Sequence, residues 1–308
     1  MQENSKIIVI AFKYNDILYA LGTSEFREAT FRKLVIFYIT GRNPKDFPLQ
    51  DIFNEVEYIK YGLGTVNMFA NLIKIYKMDW ECDVLTYSNP LLLATKYITK
   101  LSQARKVLLL EDGLMNYYPL TDIHYNSSRR IKELVQKLTG IEDKKVFAKK
   151  EIITYLLCPE MAVSYWGTTK RLMFDKDVID KEHLYKSSFI KGKKFFIGQA
   201  LYNTDGISKE YYVNTVNRII QEYEIDYYVP HYCSADENIQ CKYLNMQELG
   251  LTFEFLSSAY DFTVFSVSST LLYSTKKINP SIKSYMVRMQ GIKNDQQILQ
   301  KTVDGIIN

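Results

Sequence analysis

The sequence predicts an α/β protein built of two similar halves. Short apolar runs alternate with amphipathic segments, as expected when parallel strands are covered on both faces by crossover helices. The alternation stops near residue 125 and restarts near residue 193. A chain of 308 residues usually folds as two domains. Together these observations predict two α/β domains.

The first half contains five predicted strands, which are rich in aliphatic and aromatic residues: 6–12, 33–40, 56–62, 82–88 and 106–112. Between the third and the fourth strand, residues 65–76 predict a helix that Thr65 can cap. The helical period places four apolar residues on one face of this helix: Val66, Phe69, Ala70 and Ile73. We expect this face to pack on the sheet.

The second half contains four predicted strands: 193–199, 225–231, 251–256 and 262–269. One helical face between the first two is formed by Tyr212, Val213, Val216, Ile219 and Ile220. We expect a first domain over 1–155, a second over 156–290, and a C-terminal helix over 291–308 that packs on the body. The apolar stripe of that helix is formed by Ile298, Leu299, Val303 and Ile306.

Charge and composition exclude several classes of protein. The 39 Lys and Arg residues nearly balance 35 Asp and Glu residues, so we expect no nucleic-acid partner. No apolar run reaches the roughly 20 residues needed to span a bilayer. The chain opens without a signal-peptide pattern and its four cysteines form no CxxC pair, so we expect a cytoplasmic protein. The basic segment 129–145 predicts either a helix with one face in the core or peripheral contact with the inner membrane surface.

An acidic pair and a glycine follow the fifth predicted strand. In parallel α/β sheets ligands bind beyond the carboxyl ends of the strands, where Glu111, Asp112 and Gly113 fall. Adjacent carboxylates raise each other's pKa, and one of them can then act as a general base. The alternative is a solvated turn with Gly113 as its pivot.

Two further motifs lie in the second half. His231 follows Pro230 at a predicted strand end, where an imidazole can donate to a phosphate or have a structural role. Ser268, Ser269 and Thr270 follow another strand, and they can form either a phosphate cradle at a helix start or an ordinary N-cap.

The order and spacing of these motifs resemble the bacterial sialyltransferases that complete lipooligosaccharide and capsular polysaccharide chains. Their fold is GT-B, in which two Rossmann-like domains face each other across a cleft, and their donor is CMP-sialic acid. The resemblance covers roughly residues 6–275. One departure is Tyr232, which stands after His231 where the family usually has proline.

The resemblance implies a role for each motif. Asp112 would be the general base on the acceptor hydroxyl, and His231 would contact or protonate the CMP phosphate. Ser269 and Thr270, or Ser268 and Ser269, would hold that phosphate. The remaining implied contacts are with the nucleotide (Gly198, Gln199 and the ribose-binding Glu254) and with the acceptor (Asn15, Glu111 and Gly113).

The resemblance implies an inverting transfer of sialic acid to a galactose-type glycan. We expect no cofactor and no metal, because a single phosphate leaving group can be managed by His and hydroxyl groups. Asp175 and Asp177 imitate an Asp-x-Asp metal motif, and we expect a solvated loop there. The alternatives are a GT-B transferase with another nucleotide sugar and a non-catalytic glycan-binding or capsule-assembly protein. Linkage and assembly as a homodimer stay open.

Overall fold

Two parallel sheets, each flanked by helices, organise the chain. The computed structural model describes residues 5–39, 43–47, 49–62, 65–117, 136–137, 140–141, 143–174, 187–204, 206–231, 238–245, 252–292 and 297–308. The chain divides into two compact units, Met1–Phe174 and Asp175–Asn308.

The sheet of the first unit has, within the described residues, seven parallel strands in the order β3-β2-β1-β4-β5-β6-β7. They are β1 (Lys6–Ala11), β2 (Phe31–Tyr38), β3 (Glu55–Lys60), β4 (Val84–Tyr87), β5 (Lys106–Leu110), β6 (Glu151–Leu156) and β7 (Thr168–Arg171). The α-helices of this unit are α1 (Tyr14–Leu21), α2 (Ser24–Glu28), α3 (Thr65–Tyr76), α4 (Leu93–Leu101) and α5 (Asp143–Phe147). Short 3-10 helices lie at Pro44–Asp46, Gln50–Ile52, Gly113–Tyr117 and Pro159–Met161.

The sheet of the second unit has six parallel strands within the described residues, in the order β10-β9-β8-β11-β12-β13. They are β8 (Lys194–Ile197), β9 (Tyr227–Val229), β10 (Lys242–Tyr243), β11 (Thr263–Ser266), β12 (Lys283–Val287) and β13 (Gly305–Ile307). The helices are α6 (Leu201–Thr204), α7 (Lys209–Glu222), α8 (Phe253–Ser257), α9 (Leu271–Ile278), α10 (Gln297–Thr302) and a 3-10 turn at Ser188–Ile190.

Burial on both faces explains why the central strands are so apolar. All of Ile7, Ile8, Val9 and Ile10 in β1 are fully buried. Val9 lies opposite Leu34 of β2 and Thr86 of β4, in the middle of the sheet. A parallel strand covered by helices on both faces has no solvent side, so its sequence reads as a continuous apolar run.

The five strands predicted in the first half are present, and the structure adds β6 and β7. Because β7 pairs with β6, the first unit continues to Phe174 instead of ending at residue 155. These two strands lie between residues 125 and 193, where the sequence shows no alternation of apolar runs and amphipathic segments.

One predicted strand of the second half is wrong. Residues 253–257 form α8, whose side chains are all buried. The alternating pattern of 251–256 imitates a strand, but a helix buried on all sides shows no polar face either. The predicted face of α7 is confirmed by the burial of Tyr212, Val216, Ile219 and Ile220.

The C-terminal segment differs from the prediction in its extent. Helix α10 ends at Thr302, with Ile298 and Leu299 buried. Ile306 lies in β13, which pairs with β12 as the last strand of the second sheet. The end of the chain therefore contributes a strand as well as a helix.

Candidate functional site

The carboxyl ends of the strands of the first unit carry a group of polar side chains. The strand order reverses between β1 and β4, and such a switch point is where open parallel sheets bind ligands. Lys13 and Asp16 follow β1, Asn89 follows β4, and Asp112 follows β5. The predicted base therefore lies one strand from the switch point.

Asp112 is held by three polar contacts. Lys13 Nζ forms an ion pair with Asp112 Oδ1. Asn89 Nδ2 donates to Asp112 Oδ2 at 3.1 Å, and the backbone N–H of Asp112 donates to Asn116 Oδ1 at 2.8 Å. The side chain of Asp112 is still 18% exposed, so the carboxylate is oriented by the protein and remains reachable.

Asp16 fixes the loop that carries Lys13. Its Oδ2 accepts the backbone N–H groups of Phe12 at 2.8 Å and Lys13 at 3.0 Å, at the start of α1. Its Oδ1 is buried and has no hydrogen-bond partner among the described residues. Burial raises the pKa of Asp16, while Lys13, the Phe12 N–H and the Ser88 hydroxyl act against this rise.

A pocket opens beside Asp112. Its lining includes Ser88, Asn89, Asn116, Thr154 and Trp166. Thr154 Oγ1 donates to the Trp166 carbonyl at 2.7 Å and so joins β6 to the segment before β7. The accessible lining of this pocket is mostly apolar and Asp112 adds a carboxylate to it, and ligand pockets typically combine an apolar lining with a few polar groups.

Glu111 has a structural role and does not line this pocket. Its side chain is fully buried. Its Oε2 accepts the Tyr117 hydroxyl at 2.5 Å and the backbone N–H of Leu157 at 2.7 Å. Burial and the charge of Glu111 raise the pKa of Tyr117, which keeps that hydroxyl a donor. The predicted contact of Glu111 with the acceptor stays a prediction, and in this structure its carboxylate accepts from Tyr117 and Leu157.

Gly113 and Asn15 lie at the same edge of the sheet. Gly113 adopts φ +60°, in the left-handed region that favours glycine, and it begins the 3-10 helix Gly113–Tyr117. This turn brings Asn116 back to the Asp112 backbone. Asn15 is the second residue of α1 and is half-buried. The structure thus gives Gly113 a positioning role for Asp112.

In the second unit, hydroxyl residues lie at the corresponding switch point. The strand order reverses between β8 and β11, and Ser268, Ser269 and Thr270 follow β11 at the start of α9. Ser269 Oγ accepts the Leu271 N–H at 3.2 Å, so Ser269 closes the turn that leads into the helix, whose N-cap residue is Thr270. Among the described residues, the half-buried hydroxyls of Ser268 and Thr270 have no hydrogen-bond partner.

Gly198 and Gln199 follow β8, next to the hydroxyl residues. A Cβ at Gly198 would lie 2.2 Å from Tyr228 Oη, so the fold itself requires glycine there. The Gln199 N–H donates to the Tyr212 hydroxyl at 2.9 Å. The need for glycine at position 198 is therefore explained by packing against Tyr228. Of the pair Gly198 and Gln199, Gln199 is the residue with a side chain that could contact a ligand.

Glu254 lies on α8 and not on a strand. It is buried, and Ser274 Oγ on α9 donates to its Oε1 at 3.3 Å. Ser274 lies one turn into α9, so this contact brings Glu254 near the helix start that Ser268 and Thr270 precede. Glu254 on α8 therefore contacts α9, the helix that Ser268, Ser269 and Thr270 precede.

His231 lies two residues beyond β9 and is partly buried. Tyr232, Asp175 and Asp177 lie outside the described residues, as does most of the segment 129–145. Within the described part of the chain, no group of three His, Cys, Asp or Glu residues could hold a metal ion. No helix among these residues has the length and apolar character needed to cross a membrane.

The sequence analysis missed Lys13, Asp16, Ser88 and Asn89. All four follow predicted strands, β1 and β4, by only a few residues. The same rule that singled out Asp112 would have found them, because every parallel strand ends at this edge of the sheet. The strand order cannot be read from the sequence, and it is this order that makes β1, β4 and β5 neighbours.

Comparisons with known proteins identify the fold. No protein-family model matches the chain, and no curated protein matches it. The UDP-GlcNAc 2-epimerase of Methanocaldococcus jannaschii, solved with UDP-GlcNAc and UDP, is similar in structure at a TM-score of 0.53 and 13% identity. That match covers 98% of this chain and 88% of the epimerase.

Two further solved structures are similar over nearly the whole chain. The spinosyn forosaminyltransferase SpnP matches at a TM-score of 0.53 and 8% identity, over 99% of this chain and 86% of its own. Staphylococcus aureus MnaA, solved with UDP, matches at 0.53 and 10% identity, over 97% and 83%. These likenesses confirm the predicted fold class, a GT-B protein with two Rossmann-like α/β domains.

Proposed function

We propose that the protein is an inverting, metal-independent sialyltransferase that transfers sialic acid from CMP-sialic acid to a galactose-type terminus of a bacterial surface glycan. The observation that carries the proposal is Asp112, a reachable carboxylate oriented by Lys13 and Asn89 at the carboxyl end of β5. The GT-B fold supports it, since one of the similar structures is named a glycosyltransferase, the forosaminyltransferase.

Asp112 takes the proton of the acceptor hydroxyl. The acceptor oxygen then bonds to C2 of sialic acid, the bond from C2 to the phosphate oxygen breaks, and CMP leaves with that electron pair. A single displacement inverts the configuration at C2. Lys13 pairs with Oδ1 of Asp112, and Asn89 holds Oδ2, the oxygen that receives the proton.

The hydroxyl residues of the second unit hold the leaving phosphate. Ser268 and Thr270 have half-buried hydroxyls that donate to no other described residue, so both can donate to a phosphate oxygen. They precede α9, whose N-terminal end favours an anion. His231 contributes a further donor to the phosphate, and Glu254 binds the ribose.

A GT-B transferase with another nucleotide sugar is the alternative that the comparisons favour most. Two of the similar structures contain UDP. A nucleoside diphosphate needs donors for a second phosphate, which the Ser268–Thr270 motif does not obviously supply. The third candidate, a non-catalytic glycan-binding or capsule-assembly protein, would bind a glycan without consuming donor.

Donor turnover tests the proposal. The protein is incubated with CMP-sialic acid and lactose, and the products are analysed by mass spectrometry, with Asp51→Asn as a control at an exposed carboxylate. We expect free CMP and a sialylated trisaccharide in equal amounts. Transfer from a UDP-sugar donor would favour the alternative enzyme, and binding of glycans without any turnover would favour the non-catalytic protein.

Chelation tests the independence from metal. The phosphate of CMP carries less charge than a diphosphate, and hydroxyl and imidazole donors can stabilise it. We expect the transfer rate to stay unchanged in EDTA. Complete loss of activity that Mg²⁺ or Mn²⁺ restores would assign a metal to the reaction.

A further inference from the structure

Helix α3 buries a different face from the one its sequence predicts. Among the side chains of this helix that the structure describes, those of Asn71, Leu72 and Ile75 are buried. Asn71 anchors the helix by bonding both backbone groups of Gly62, at 3.2 Å and 2.8 Å. Asn71, Leu72 and Ile75 therefore fix the position of α3 on the sheet. Phe69, Ile73 and Tyr76 lie on another face of the helix.

Those larger residues are exposed to solvent. Phe69 is 52% exposed, Ile73 is 58% exposed and Tyr76 is 68% exposed. Their spacing of four and three residues aligns them in one row along the helix. Single exposed apolar side chains are common on protein surfaces, but a continuous row on one helix indicates a surface that is covered by something else.

Positive charge lies directly beside this row. Lys74 and Lys77 are both exposed, and Lys77 lies one helical turn beyond Ile73 of the apolar row. Lys74 Nζ donates to the Lys60 carbonyl at 2.9 Å. The sequence of α3, residues 65–76, contains no Asp or Glu. We call Phe69, Ile73, Lys74, Tyr76 and Lys77 the α3 surface.

We propose that the α3 surface docks on an anionic lipid bilayer, with its apolar row in the interface and its lysines at the headgroups. A helix with aromatic and aliphatic residues on one strip and lysines on the next suits this environment. Each lysine near an anionic membrane surface adds attraction, and a tyrosine at the end of the row suits the headgroup level.

A second copy of the chain fits this surface less well. In a twofold contact through the α3 surface, the same residues of both copies would meet. The lysines of one copy would then face a helix that carries lysines and no carboxylate. An anionic surface complements this charge, whereas a second α3 repels it. The inference does not depend on the proposed transfer reaction, and it concerns a different helix from the segment 129–145.

Vesicle sedimentation tests the inference. The full chain is mixed with vesicles of phosphatidylcholine alone or of phosphatidylcholine with 30% phosphatidylglycerol, and the bound fraction is measured. Two variants are compared with the parent: Phe69→Ser with Ile73→Ser, and Lys74→Glu with Lys77→Glu. Met173→Ser is the matched control, because Met173 is an equally exposed apolar residue of the same unit.

We expect the parent and Met173→Ser to bind the anionic vesicles and to bind the neutral vesicles at least tenfold more weakly. Both α3 variants should lose at least tenfold in partitioning to the anionic vesicles, and 0.5 M salt should weaken binding by the parent. The four substituted side chains are exposed, so melting of the variants should match that of the parent.

Three results would overturn the inference. The first is a parent that stays in solution with both kinds of vesicle. The second is undiminished binding by either α3 variant. The third is a parent dimer, seen by sedimentation equilibrium, that the apolar double variant converts to a monomer, because this would assign the α3 surface to a second copy of the chain.

Discussion

The carboxyl ends of the two sheets differ in how their polar groups are held. In the first unit, Asp112 is tied to Lys13 and Asn89, and Asp16 fixes the loop that carries Lys13. In the second unit, the side-chain hydroxyls of Ser268 and Thr270 have no hydrogen-bond partner among the described residues. Both groups lie at or beside the switch point of their sheet. The same topology thus places a carboxylate held by its neighbours, Asp112, in one unit. In the other unit it places two hydroxyls, of Ser268 and Thr270, without a partner among the described residues.

This difference matches two chemical tasks. A base must be in the correct ionisation state and orientation before the substrate arrives, so the protein supplies its partners. Hydroxyls that bind a phosphate need free donors, so under the proposed function Ser268 and Thr270 would gain their partner from the ligand. We therefore expect substitutions in the first group to change the rate, and substitutions in the second to change nucleotide affinity.

The largest effect is expected for Asp112→Asn. Asparagine keeps the shape of the side chain but cannot accept the proton, and loss of a general base costs about 10²–10⁴ in rate. The measurement is the transfer rate at saturating CMP-sialic acid, with Asp51→Asn as the control. A rate within threefold of the parent would remove Asp112 as the base.

The double variant Ser268→Ala with Thr270→Val should weaken CMP binding. Each hydrogen bond from a hydroxyl to a charged phosphate contributes about 1.5–3 kcal/mol, so affinity should fall about tenfold or more for each bond lost. Calorimetric titration with CMP measures this effect. Ser281→Ala, at an exposed position of the same unit, should bind CMP as the parent does. Unchanged affinity in the double variant would leave the motif as a helix cap only.

Glu111→Gln should change stability and leave CMP affinity unchanged. The amide retains an acceptor for the Tyr117 hydroxyl and the Leu157 N–H but carries no charge, and a hydrogen bond to a neutral group contributes less than one to a charged group, so we expect a cost of about 1–3 kcal/mol. Melting should fall by about 2–4 °C for each kcal/mol in a unit of this size. If this variant melted normally and bound CMP poorly, Glu111 would belong to the ligand site after all.

Asp16→Asn should make stability less dependent on pH. Burial raises the pKa of Asp16, with Lys13, Ser88 and the Phe12 N–H opposing and Asp112 adding to the rise. A raised carboxyl pKa in the folded state means that folding is favoured at low pH. This contribution is lost as pH rises from the unfolded pKa through the folded one.

The loss of stability in Asp16→Asn should therefore be greatest near pH 4 and smaller near pH 8. Each unit by which the pKa is raised corresponds to about 1.4 kcal/mol. Urea unfolding of parent and variant at both pH values gives the difference. A loss of stability that grew towards pH 8 would show that the ionised form of Asp16 is the stabilising one.

The strands of the first unit were predictable because parallel strands buried on both faces leave long apolar runs, as in β1 and β5. The position of Asp112 followed from the same pattern. Strands β12 and β13 were missed because their apolar runs are short: β12 buries the polar Ser284 together with Met286 and Val287, and β13 has three residues. Helix α8 was mistaken for a strand because it is too short to reveal a helical period.

The core-facing side of α3 could not be predicted from its apolar residues. Phe69 and Ile73 form the stronger apolar pattern in the sequence, yet the helix is held by Asn71 through its bonds to Gly62. Similarly, nothing in the residue pattern distinguishes Glu111 from Asp112. Although they are adjacent after β5, their side chains meet different partners: Glu111 accepts the Leu157 N–H, and Asp112 pairs with Lys13.

The central claim is that Asp112 affects the rate of transfer, whereas Ser268 and Thr270 affect nucleotide affinity. Thermal unfolding in the presence of nucleotides tests this claim most directly. A ligand at a hundredfold excess over its Kd stabilises the fold by about 2.7 kcal/mol. We expect CMP to raise the melting temperature of the parent and of Asp112→Asn equally, and that of Ser268→Ala with Thr270→Val much less. UDP and GDP should give smaller shifts than CMP. Loss of the CMP shift in Asp112→Asn but not in the hydroxyl variant, or a larger shift with UDP or GDP, would contradict this account.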